Sequence, residues 1–288
     1  MLSSPRVAVI VLNYNGKECL PRCLNSLAQL EYSNREIIIV DNHSSDDSLL
    51  VAEKTFPQLT FIRNAENAGF AKGMNIGIRA ALAHGAEWCW LINYDTEIDR
   101  SALTRLIAAA QKFPNAGLLS PVIYEKESNR PWFAKGRVDF FRMRAIHVAP
   151  TRKDLSSDSY PSEFLTGCAL LIKKELIGAI GFLDERFFLY YEDADYSLRA
   201  ASAGFACLVV SGARVRHSEV SQANPGKKYF LVYSGLLFFE KHAPLFLRPY
   251  LWLYVTIRRV KNRLDVVLKN SPAALEVRRA YQHFFHER

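Results

Sequence analysis

The sequence lacks several patterns that would assign it to a well-known class of protein. No Gly-x-Gly-x-x-Gly motif follows its first predicted strand, which argues against a dinucleotide-binding domain, and the absence of a Gly-x-x-x-x-Gly-Lys-Ser/Thr motif argues against a P-loop enzyme. No long apolar run precedes Asn13, so we expect no secretory signal and a cytoplasmic protein. The cysteines form no Cys-x-x-Cys pair and are expected to be reduced core residues: Cys19, Cys23, Cys89, Cys168 and Cys207.

The composition is that of an ordinary globular protein with an uneven distribution of charge. The 288 residues are 49% hydrophobic and 23% charged, which fits about one or two domains with a large core. The net charge is +8, and residues 258–288 carry eight Lys or Arg against three Asp or Glu. Because these basic residues follow an apolar segment and line no recognisable binding motif, we expect no nucleic-acid partner.

Residues 244–257 form an aromatic-rich apolar segment directly before the basic one. The segment is interrupted by Arg248 and two prolines, and it is shorter than the roughly 20 apolar residues that span a bilayer. Apolar sequence followed by Arg and Lys is typical of a segment that lies on an anionic membrane surface. A helix packed on the protein body with a solvated basic face would have the same pattern, so both interpretations stay open. We divide the chain into a domain of residues 1–242 and a basic amphipathic helical tail of residues 243–288.

The first 120 residues alternate between strand and helix patterns. Val7–Leu12 and Trp88–Asn93 are continuous apolar runs, as expected for strands that are covered on both faces. The alternation predicts an α/β fold with a mostly parallel central sheet and helices on both faces. Strands are predicted at 7–12, 36–41, 59–63, 88–93 and 118–119, and helices at 17–30, 45–56, 70–84 and 101–113.

Residues 124–161 interrupt this regularity with interleaved basic and aromatic residues. A long irregular segment inside a compact domain is usually a functional loop or a mobile lid. Ordered structure is predicted to resume after it, with an ordered segment at 164–172, helices at 173–180 and 193–203, a strand at 206–210 and helices from 227 onward.

Polar clusters follow three of the predicted strands, at residues 13–15, 41–44 and 93–95. Because the carboxyl ends of parallel strands meet at one edge of a sheet, three such clusters outline a binding crevice. Asp41 suits a ribose or base edge, since a carboxylate accepts two hydrogen bonds from adjacent donors. Asp95 suits a hard divalent cation, but it also suits a turn or the cap of a following helix. The strand alone leaves these interpretations open.

Three later features extend the candidate site. Asn67 precedes a helix that it can cap, and glycines at 69, 73 and 77 lie on one face of that helix, which allows a ligand or the sheet to approach closely. Glu192 or Asp193, at the start of another helix, is placed to act as a general base. The neighbouring Asp195 is instead spaced for a structural i,i+4 ion pair with Arg199. His217 follows a strand-like stretch and is either a metal ligand or a structural histidine.

In this order and spacing the motifs resemble those of family 2 glycosyltransferases, in particular the rhamnosyltransferase-like branch. The resemblance extends over about residues 6–242. It implies a GT-A fold and the transfer of a sugar, with inversion at the anomeric carbon, from a nucleotide diphosphate donor. The motifs that carry the resemblance are Val9–Asn15, Ile39–Asn42, Asn67–Phe70, Leu91–Thr96, Thr166–Leu171, Glu192–Asp195 and His217.

The resemblance also implies roles for individual residues. Residues 1–120 would form the nucleotide-binding half and residues 121–242 the acceptor and catalytic half. Asp193 would be the catalytic base, and Asp95 and His217 would hold Mg²⁺ or Mn²⁺ on the diphosphate. The metal motif of the family is Asp-x-Asp, whose first position here is Asn93, an amide that also occurs in the rhamnosyltransferase-like branch. The donor-binding residues would be Asn13, Asn15, Asp41, Asn42, Asn67, Gly69 and Asn93.

The leading hypothesis is an inverting, metal-dependent hexosyltransferase of bacterial cell-surface polysaccharide synthesis. Its donor would be a dTDP- or UDP-linked sugar, with rhamnose favoured by the resemblance, and its acceptor a saccharide or lipid-linked saccharide that the 124–161 segment helps to select. A peripheral position on the inner face of the membrane is a separate hypothesis. The first alternative is a weakly catalytic, nucleotide-binding scaffold of a polysaccharide assembly complex, which Asn93 permits. A nucleotidyltransferase would more naturally place a glycine-rich basic loop after the first strand, where the sequence has none.

Overall fold

The computed structural model describes residues 4–128, 130–218, 226–269 and 271–286. Residues 287–288 of the predicted basic tail lie outside the described residues. The strands are β1 (Val7–Asn13), β2 (Arg35–Asp41), β3 (Thr60–Arg63), β4 (Trp88–Asn93), β5 (Thr96–Ile98), β6 (Ala116–Glu125), β7 (Pro131–Phe133), β8 (Gly136–Asp139), β9 (Arg144–His147), β10 (Ser159–Pro161), β11 (Ala169–Lys173) and β12 (Ala206–His217). The helices are α1 (Leu20–Ala28), α2 (Ser48–Thr55), α3 (Gly69–Ala83), α4 (Ala102–Lys112), α5 (Arg152–Leu155), α6 (Lys174–Ile180), α7 (Glu192–Ser202), α8 (Gly226–His242), α9 (Arg248–Lys269) and α10 (Pro272–His286), with a 3₁₀ turn at Leu245–Leu247.

The central sheet is mixed but mostly parallel, as the alternation of strands and helices predicts. Its strand order is β10-β12-β6-β11-β4-β1-β2-β3, with β5 paired to β12 and β7 paired to β6. The strands β4, β1, β2 and β3 are parallel neighbours, whereas β11 runs antiparallel between β4 and β6. Every residue of β1 is buried, which requires cover on both faces of the sheet.

The register of the parallel strands aligns their ends. Asn13 lies opposite Asp41 in the β1–β2 ladder, and Leu12 lies opposite Asn93 in the β1–β4 ladder. The polar clusters that follow these strands therefore emerge side by side at one edge, where ligands of open α/β sheets bind.

The segment 124–161 is more regular than its sequence predicts. It contains the end of β6, the strands β7 and β10, the two-stranded β8–β9 sheet and the short helix α5. These strands are three or four residues long, too short for a period-two pattern to stand out, and each depends on pairing with a partner. The expectation of an irregular segment was therefore wrong. Two predicted boundaries after this segment also differ from the structure. The ordered segment predicted at 164–172 contains a strand, β11, only from Ala169, and β12 continues to His217 rather than ending at Val210.

The helix α3 lies directly on the sheet through two of its glycines. A Cβ atom on Gly77 would lie 2.4 Å from Ile10 Cγ2, and one on Gly73 would lie 2.7 Å from Leu12 Cδ1. These two glycines therefore serve close packing of a helix on a strand, and they leave no room there for a ligand.

The C-terminal helices form a layer on the main body. Helix α8 joins the main core through Phe238 and Phe239, and a second apolar cluster ties α8 to α9 and α10. That cluster comprises Leu236, Val255, Tyr281 and Phe284. Among the described residues, no helix is both long enough and apolar enough to span a bilayer.

Replacing Gly77 with Ala tests the close contact of α3 with the sheet. We expect Gly77→Ala to lower the free energy of unfolding by about 1–3 kcal/mol, because the added methyl group overpacks the contact with Ile10 and Val40. The matched control is Gly178→Ala in α6, where a Cβ atom would meet nothing within 4 Å and the helix would gain stability of up to about 1 kcal/mol. Urea unfolding of both variants measures the difference, and equal midpoints would contradict the packing argument.

Candidate active site

A cleft of about 760 Å³ lies at the carboxyl ends of β1, β2 and β4. It is bordered on its other side by residues 164–168, by the start of α7 and by the start of α8. Most of the residues predicted from sequence line it: Asn42, Asn67, Gly69, Asn93, Asp95, Asp193 and His217. The remaining three, Asn13, Asn15 and Asp41, lie beside the cleft rather than on its wall.

These three residues belong to a hydrogen-bond network at the ends of β1 and β2. The Asn13 amide Nδ2 donates to Asp41 Oδ1 at 2.7 Å and to Ser48 Oγ at 2.9 Å. The Ser44 hydroxyl and backbone N–H donate to the two oxygens of Asp41, at 2.6 and 3.0 Å. Asn15 has a positive φ of 53° and accepts a hydrogen bond from the Ser45 N–H at 2.8 Å. Asp41 is thus held rigidly at the sheet edge, with one oxygen that still has accepting capacity.

Asn42 fixes the loop that leads into α3. Its Nδ2 donates to Asn67 Oδ1 at 2.9 Å and to the Gly69 carbonyl at 3.0 Å, while its Oδ1 accepts from Asn64 and from the Ala68 N–H. Asn67 Oδ1 in turn accepts from the Gly69 N–H at 3.0 Å, so it satisfies the first N–H group of α3. The N-cap itself is Ala68, one residue later than the predicted cap at Asn67. Both amides are therefore committed to positioning this wall of the cleft.

Gly69 is required by its own backbone conformation. Its φ is +76°, and a Cβ atom would lie 2.6 Å from the carbonyl oxygen of Phe188. The next N–H, of Phe70, donates to that same carbonyl at 2.6 Å. The glycine thus joins the loop before α3 to the segment that precedes α7.

Asp95 lies in the two-residue turn between β4 and β5, opposite the end of β12. The pairing of His217 with Thr96 brings the two strands together, and the Asp95 carbonyl accepts from the Ser218 N–H at 2.8 Å. The turn interpretation and the site interpretation of Asp95 are therefore compatible. The capping interpretation was wrong, because the next helix begins at Ala102 with Ser101 at its N-cap.

The side chains of Asp95 and His217 face one another in a nearly buried position. Asp95 Oδ1 lies 3.2 Å from His217 Nε2, but the two groups are not oriented for a hydrogen bond. Asp95 Oδ1 and His217 Nδ1 are both buried without a hydrogen-bond partner within the described ranges. Buried polar atoms normally have partners, so an unpartnered pair at the edge of a cleft calls for an explanation.

A divalent cation between Asp95 Oδ1 and His217 Nε2 would give the unpartnered oxygen of Asp95 a partner. Two ligand atoms at adjacent corners of an octahedron with bonds of about 2.1 Å are separated by about 3 Å. The 3.2 Å between Asp95 Oδ1 and His217 Nε2 is close to that separation. The residues that the structure describes contain no group of three His, Cys, Asp or Glu that would hold an ion unaided. Magnesium commonly takes one or two protein ligands and completes its sphere with phosphate oxygens and water, so two protein ligands fit a diphosphate-bound ion.

Asp193 lies at the start of α7, where backbone N–H groups hold its carboxylate. Oδ2 accepts from the Gly167 N–H at 2.9 Å, and Oδ1 accepts from the Ala194 N–H at 2.7 Å. Burial raises the pKa of Asp193, while these hydrogen bonds and the nearby His147 oppose the rise. A carboxylate whose pKa lies above its ordinary value is a stronger base toward a hydroxyl group.

Glu192 differs from its neighbour in its surroundings. It is buried, its Oε2 has no hydrogen-bond partner, and burial together with the charge of Asp193 raises its pKa well above the ordinary value. Two adjacent buried carboxylates do not readily ionise together, so the better hydrogen-bonded one carries the charge. These contacts favour Asp193 over Glu192 as the ionised member of the pair.

Asp195 anchors α7 to α8. Its two oxygens accept from Arg199 Nε at 2.8 Å, from Lys241 Nζ at 2.6 Å and from His242 Nε2 at 2.7 Å. The structural i,i+4 pair predicted with Arg199 is therefore present. Burial alone would raise the pKa of Asp195, but the hydrogen bonds from His242 and Lys241 outweigh it and lower the pKa.

Sequence reasoning missed two residues that connect the two ends of the cleft. The Trp132 ring lies 4.7 Å from that of His217 and 4.8 Å from that of His147, centroid to centroid. The His147 Nδ1 lies 3.0 Å from the Trp132 carbonyl oxygen. Both belong to the 124–161 segment, whose mixture of basic and aromatic residues was the available signal. The contact between Trp132 in β7 and His147 at the end of β9 was not visible in the sequence.

Comparison with known proteins assigns the family. The model of glycosyl transferase family 2 matches residues 8–181 of the chain. The chain therefore belongs to this family of glycosyltransferases, as the motif order implies.

Curated relatives and solved structures agree with this assignment. The chain is 27% identical to the N-acetylglucosaminyl-diphospho-decaprenol L-rhamnosyltransferase of Mycobacterium tuberculosis, over 73% of this chain and 75% of the relative. It is 23% identical to the dTDP-rhamnosyl transferase RfbF of Shigella flexneri, over 94% of each chain.

The fold is that of GT-A glycosyltransferases. A mannosyltransferase of Pyrobaculum calidifontis, solved with GDP-Man and Mn²⁺, superposes with a TM-score of 0.62 at 19% identity, over 97% of this chain and 74% of that one. A GalNAc-T7 structure with UDP, GalNAc and Mn²⁺ gives a TM-score of 0.64 at 17% identity over 81% of this chain, which spans about half, 51%, of that longer protein. The predicted GT-A architecture is confirmed.

Replacing Asp195 with Asn tests the anchor that holds α7 in place. We expect Asp195→Asn to lower the free energy of unfolding at pH 7 by about 3 kcal/mol, because Arg199 and Lys241 lose their buried counter-charge. The folded-state pKa of Asp195 is lowered, so its contribution is full above about pH 4 and is lost as the pH falls through the folded value.

Urea unfolding at pH 7 and at decreasing pH measures this effect. The control is Asp158→Asn, which removes an exposed pair with Lys112 and should cost less than about 1 kcal/mol. A cost for Asp195→Asn that matches the control, or that grows as the pH falls, would contradict the anchoring role.

Proposed function

We propose that the protein is an inverting hexosyltransferase that moves a sugar from a nucleotide diphosphate donor to a hydroxyl group of a saccharide or lipid-linked saccharide. The observation that carries the proposal is the convergence of Asp95, His217 and Asp193 on one cleft at the ends of parallel strands. Two rhamnosyltransferases among the relatives favour a rhamnosyl donor, with dTDP- or UDP-linked sugars as the candidates. As the motif resemblance implies, we place this transfer in bacterial cell-surface polysaccharide synthesis.

The proposed reaction is a single displacement. Asp193 accepts the proton of the acceptor hydroxyl as the acceptor oxygen forms its bond to the anomeric carbon. The bond from that carbon to the diphosphate oxygen breaks, and the electron pair leaves with the nucleoside diphosphate. Because the oxygen attacks the face opposite the leaving group, the configuration at the anomeric carbon inverts.

We assign the leaving-group side of the cleft to Asp95 and His217. These residues would hold Mg²⁺ or Mn²⁺, which would offset the negative charge that develops on the diphosphate. Asn93 borders the same position with a neutral amide, so the site has one protein carboxylate where the family motif has two.

We assign the donor nucleotide to the wall formed by the ends of β1 and β2 and the loop before α3. Asn42, Asn67 and Gly69 line this wall, and their mutual hydrogen bonds keep it in one shape without the ligand. Asn13, Asn15 and Asp41 support it from behind, and the accepting capacity of Asp41 suits a ribose or base edge. A preformed wall of this kind lowers the entropy cost of binding.

We further propose that residues 1–120 form the nucleotide half, residues 121–242 the acceptor half and residues 243–288 a peripheral tail. The enzyme would work in the cytoplasm on the inner face of the membrane, where a lipid-linked acceptor is accessible. The 124–161 segment supports the acceptor assignment, because Trp132, Ala145 and His147 also line the cleft.

Asp193→Asn tests the assignment of the base. We expect the rate of sugar transfer, or of donor hydrolysis in the absence of acceptor, to fall by about 10²–10⁴-fold, because an amide accepts no proton. The far-UV spectrum and the melting temperature should stay close to those of the wild type, since Asn retains an oxygen that can accept from the Gly167 N–H. The exposed variant Asp158→Asn is the activity control, and full activity of Asp193→Asn would refute the base.

Asp95→Ala and His217→Ala test the cation site. Both variants should lose most donor turnover. The Mn²⁺ concentration that gives half of each variant's own maximal activity should be at least about tenfold higher than that of the wild type. Activity that is unaffected by chelators and by both substitutions would contradict the proposed site. Intact nucleotide binding with no turnover in the wild type, for every donor sugar tried, would support the alternative of a nucleotide-binding scaffold.

A further inference from the structure

Helix α9 is apolar on two opposite faces. One face is buried against α8 and α10 through Leu251, Val255 and Val266. The opposite face is exposed, with Leu253 at 53% and Ile257 at 58% of their full accessibility. A helix at the surface normally turns a polar face to water, so the exposed apolar face is unusual.

The exposed face continues along the whole helix. Its residues recur at alternating spacings of four and three, which places them in one stripe on an α-helix. A patch of this length marks a surface that contacts a membrane or another protein. We call it the outer stripe, and it comprises Phe246 of the 3₁₀ turn before α9 together with Tyr250, Leu253, Ile257, Val260, Leu264 and Val267 of α9.

Basic residues border the outer stripe on both sides. At 100° per residue, Lys261 lies on one side of the stripe and Arg263 on the other, and both are exposed. Long basic side chains beside an apolar face reach anionic headgroups while the apolar residues enter the lipid, which is the arrangement of interfacial helices.

The outer stripe is continuous with the rim of the cleft. The Tyr250 hydroxyl donates to the Phe141 carbonyl at 2.9 Å, and their rings lie 5.9 Å apart. Phe141, in the turn between β8 and β9, is itself 60% exposed and is followed by the exposed Arg142. The strand β9 then carries Ala145 and His147 into the wall of the cleft. One apolar and basic surface therefore runs from α9 to the acceptor side of the cleft.

A second copy of the chain fits this surface less well than a lipid does. Two outer stripes packed together would place Lys261 and Arg263 of one copy near the same positive charges of the other, whereas paired helices favour opposite charges at these flanks. An anionic lipid surface supplies the missing negative charge and attracts each basic residue near it.

We propose that the outer stripe of α9 and the exposed Phe141 form one docking surface for an anionic membrane, which holds the acceptor side of the cleft next to the lipid. The proposal deepens the proposed function by naming the surface that gives access to a lipid-linked acceptor. Only the access to such an acceptor rests on the proposed function. Docking itself needs no sugar nucleotide, so it can be tested separately.

Flotation of the full chain with vesicles tests the proposal. The vesicles are phosphatidylcholine with about 30% phosphatidylglycerol, matched by pure phosphatidylcholine, and anionic lipid should increase binding because the flanks are basic. Leu253→Glu and Leu264→Glu should each lower the bound-to-free ratio about tenfold or more, because each removes one buried apolar side chain. The matched control is Leu50→Glu in α2, since Leu50 and Leu253 are both 53% exposed.

Fluorescence gives a second measurement on the unaltered outer stripe. Trp252 lies beside the outer stripe on the flank of Arg263 and is 63% exposed, whereas Trp88 and Trp90 are buried and Trp132 is half-buried in the cleft wall. The emission of Trp252 should therefore shift to the blue when anionic vesicles are added. The shift should be absent in Trp252→Phe and in Leu253→Glu.

Three outcomes would overturn the proposal. They are equal flotation of wild type and both stripe variants, a Trp252 emission unchanged by vesicles, and a lipid-free dimer that Leu253→Glu dissociates. The dimer would assign the stripe to a second copy of the chain. A wild-type protein that floats with the vesicles but turns over no donor would count against the proposed function alone. A wild-type protein that turns over donor but does not float would count against the docking surface alone.

Discussion

The site depends on the register of three parallel strands. Asn13 opposite Asp41 and Leu12 opposite Asn93 fix the ends of β1, β2 and β4 at one edge. A shift of one residue in either ladder would turn alternate side chains to the opposite face, and the close contacts of Gly77 with Ile10 and of Gly73 with Leu12 oppose such a shift. The core thus determines where the polar strand ends lie, and the network around Asp41 and Asn42 makes that edge rigid.

The second requirement is a long-range contact that closes the site. The end of β12 pairs with β5, and this pairing places His217 beside Asp95. Asp193 reaches the same cleft from the other side, because Asp195 fastens α7 to α8 and Gly69 joins the loop before α3 to the segment before α7. The unpartnered Oδ1 of Asp95 and Nδ1 of His217 leave the site with polar capacity that no other described residue satisfies. Such capacity is what a ligand-binding site requires.

The sequence allowed the fold of residues 1–120 to be predicted closely, and the rest only in part. The early strands and helices have strong local periodicity, so their positions were predicted to within a few residues. The short strands β5 and β7–β9 have no such signal, because each forms only through a distant partner. For the same reason Trp132 and His147 were missed, and the contact of His217 with Asp95 depends on the pairing of β12 with β5. Roles carried by motif order, such as that of Asp193, did not need tertiary structure to be proposed.

The central claim is that the cleft binds a nucleoside diphosphate through a cation at Asp95 and His217. Calorimetric titration of dTDP and UDP into the wild-type protein, with Mn²⁺ and with chelator, tests it most directly. The account predicts binding of at least one of them in Mn²⁺, with a markedly lower affinity in chelator. Affinity that is the same in both conditions, or no binding of either nucleotide, would contradict it.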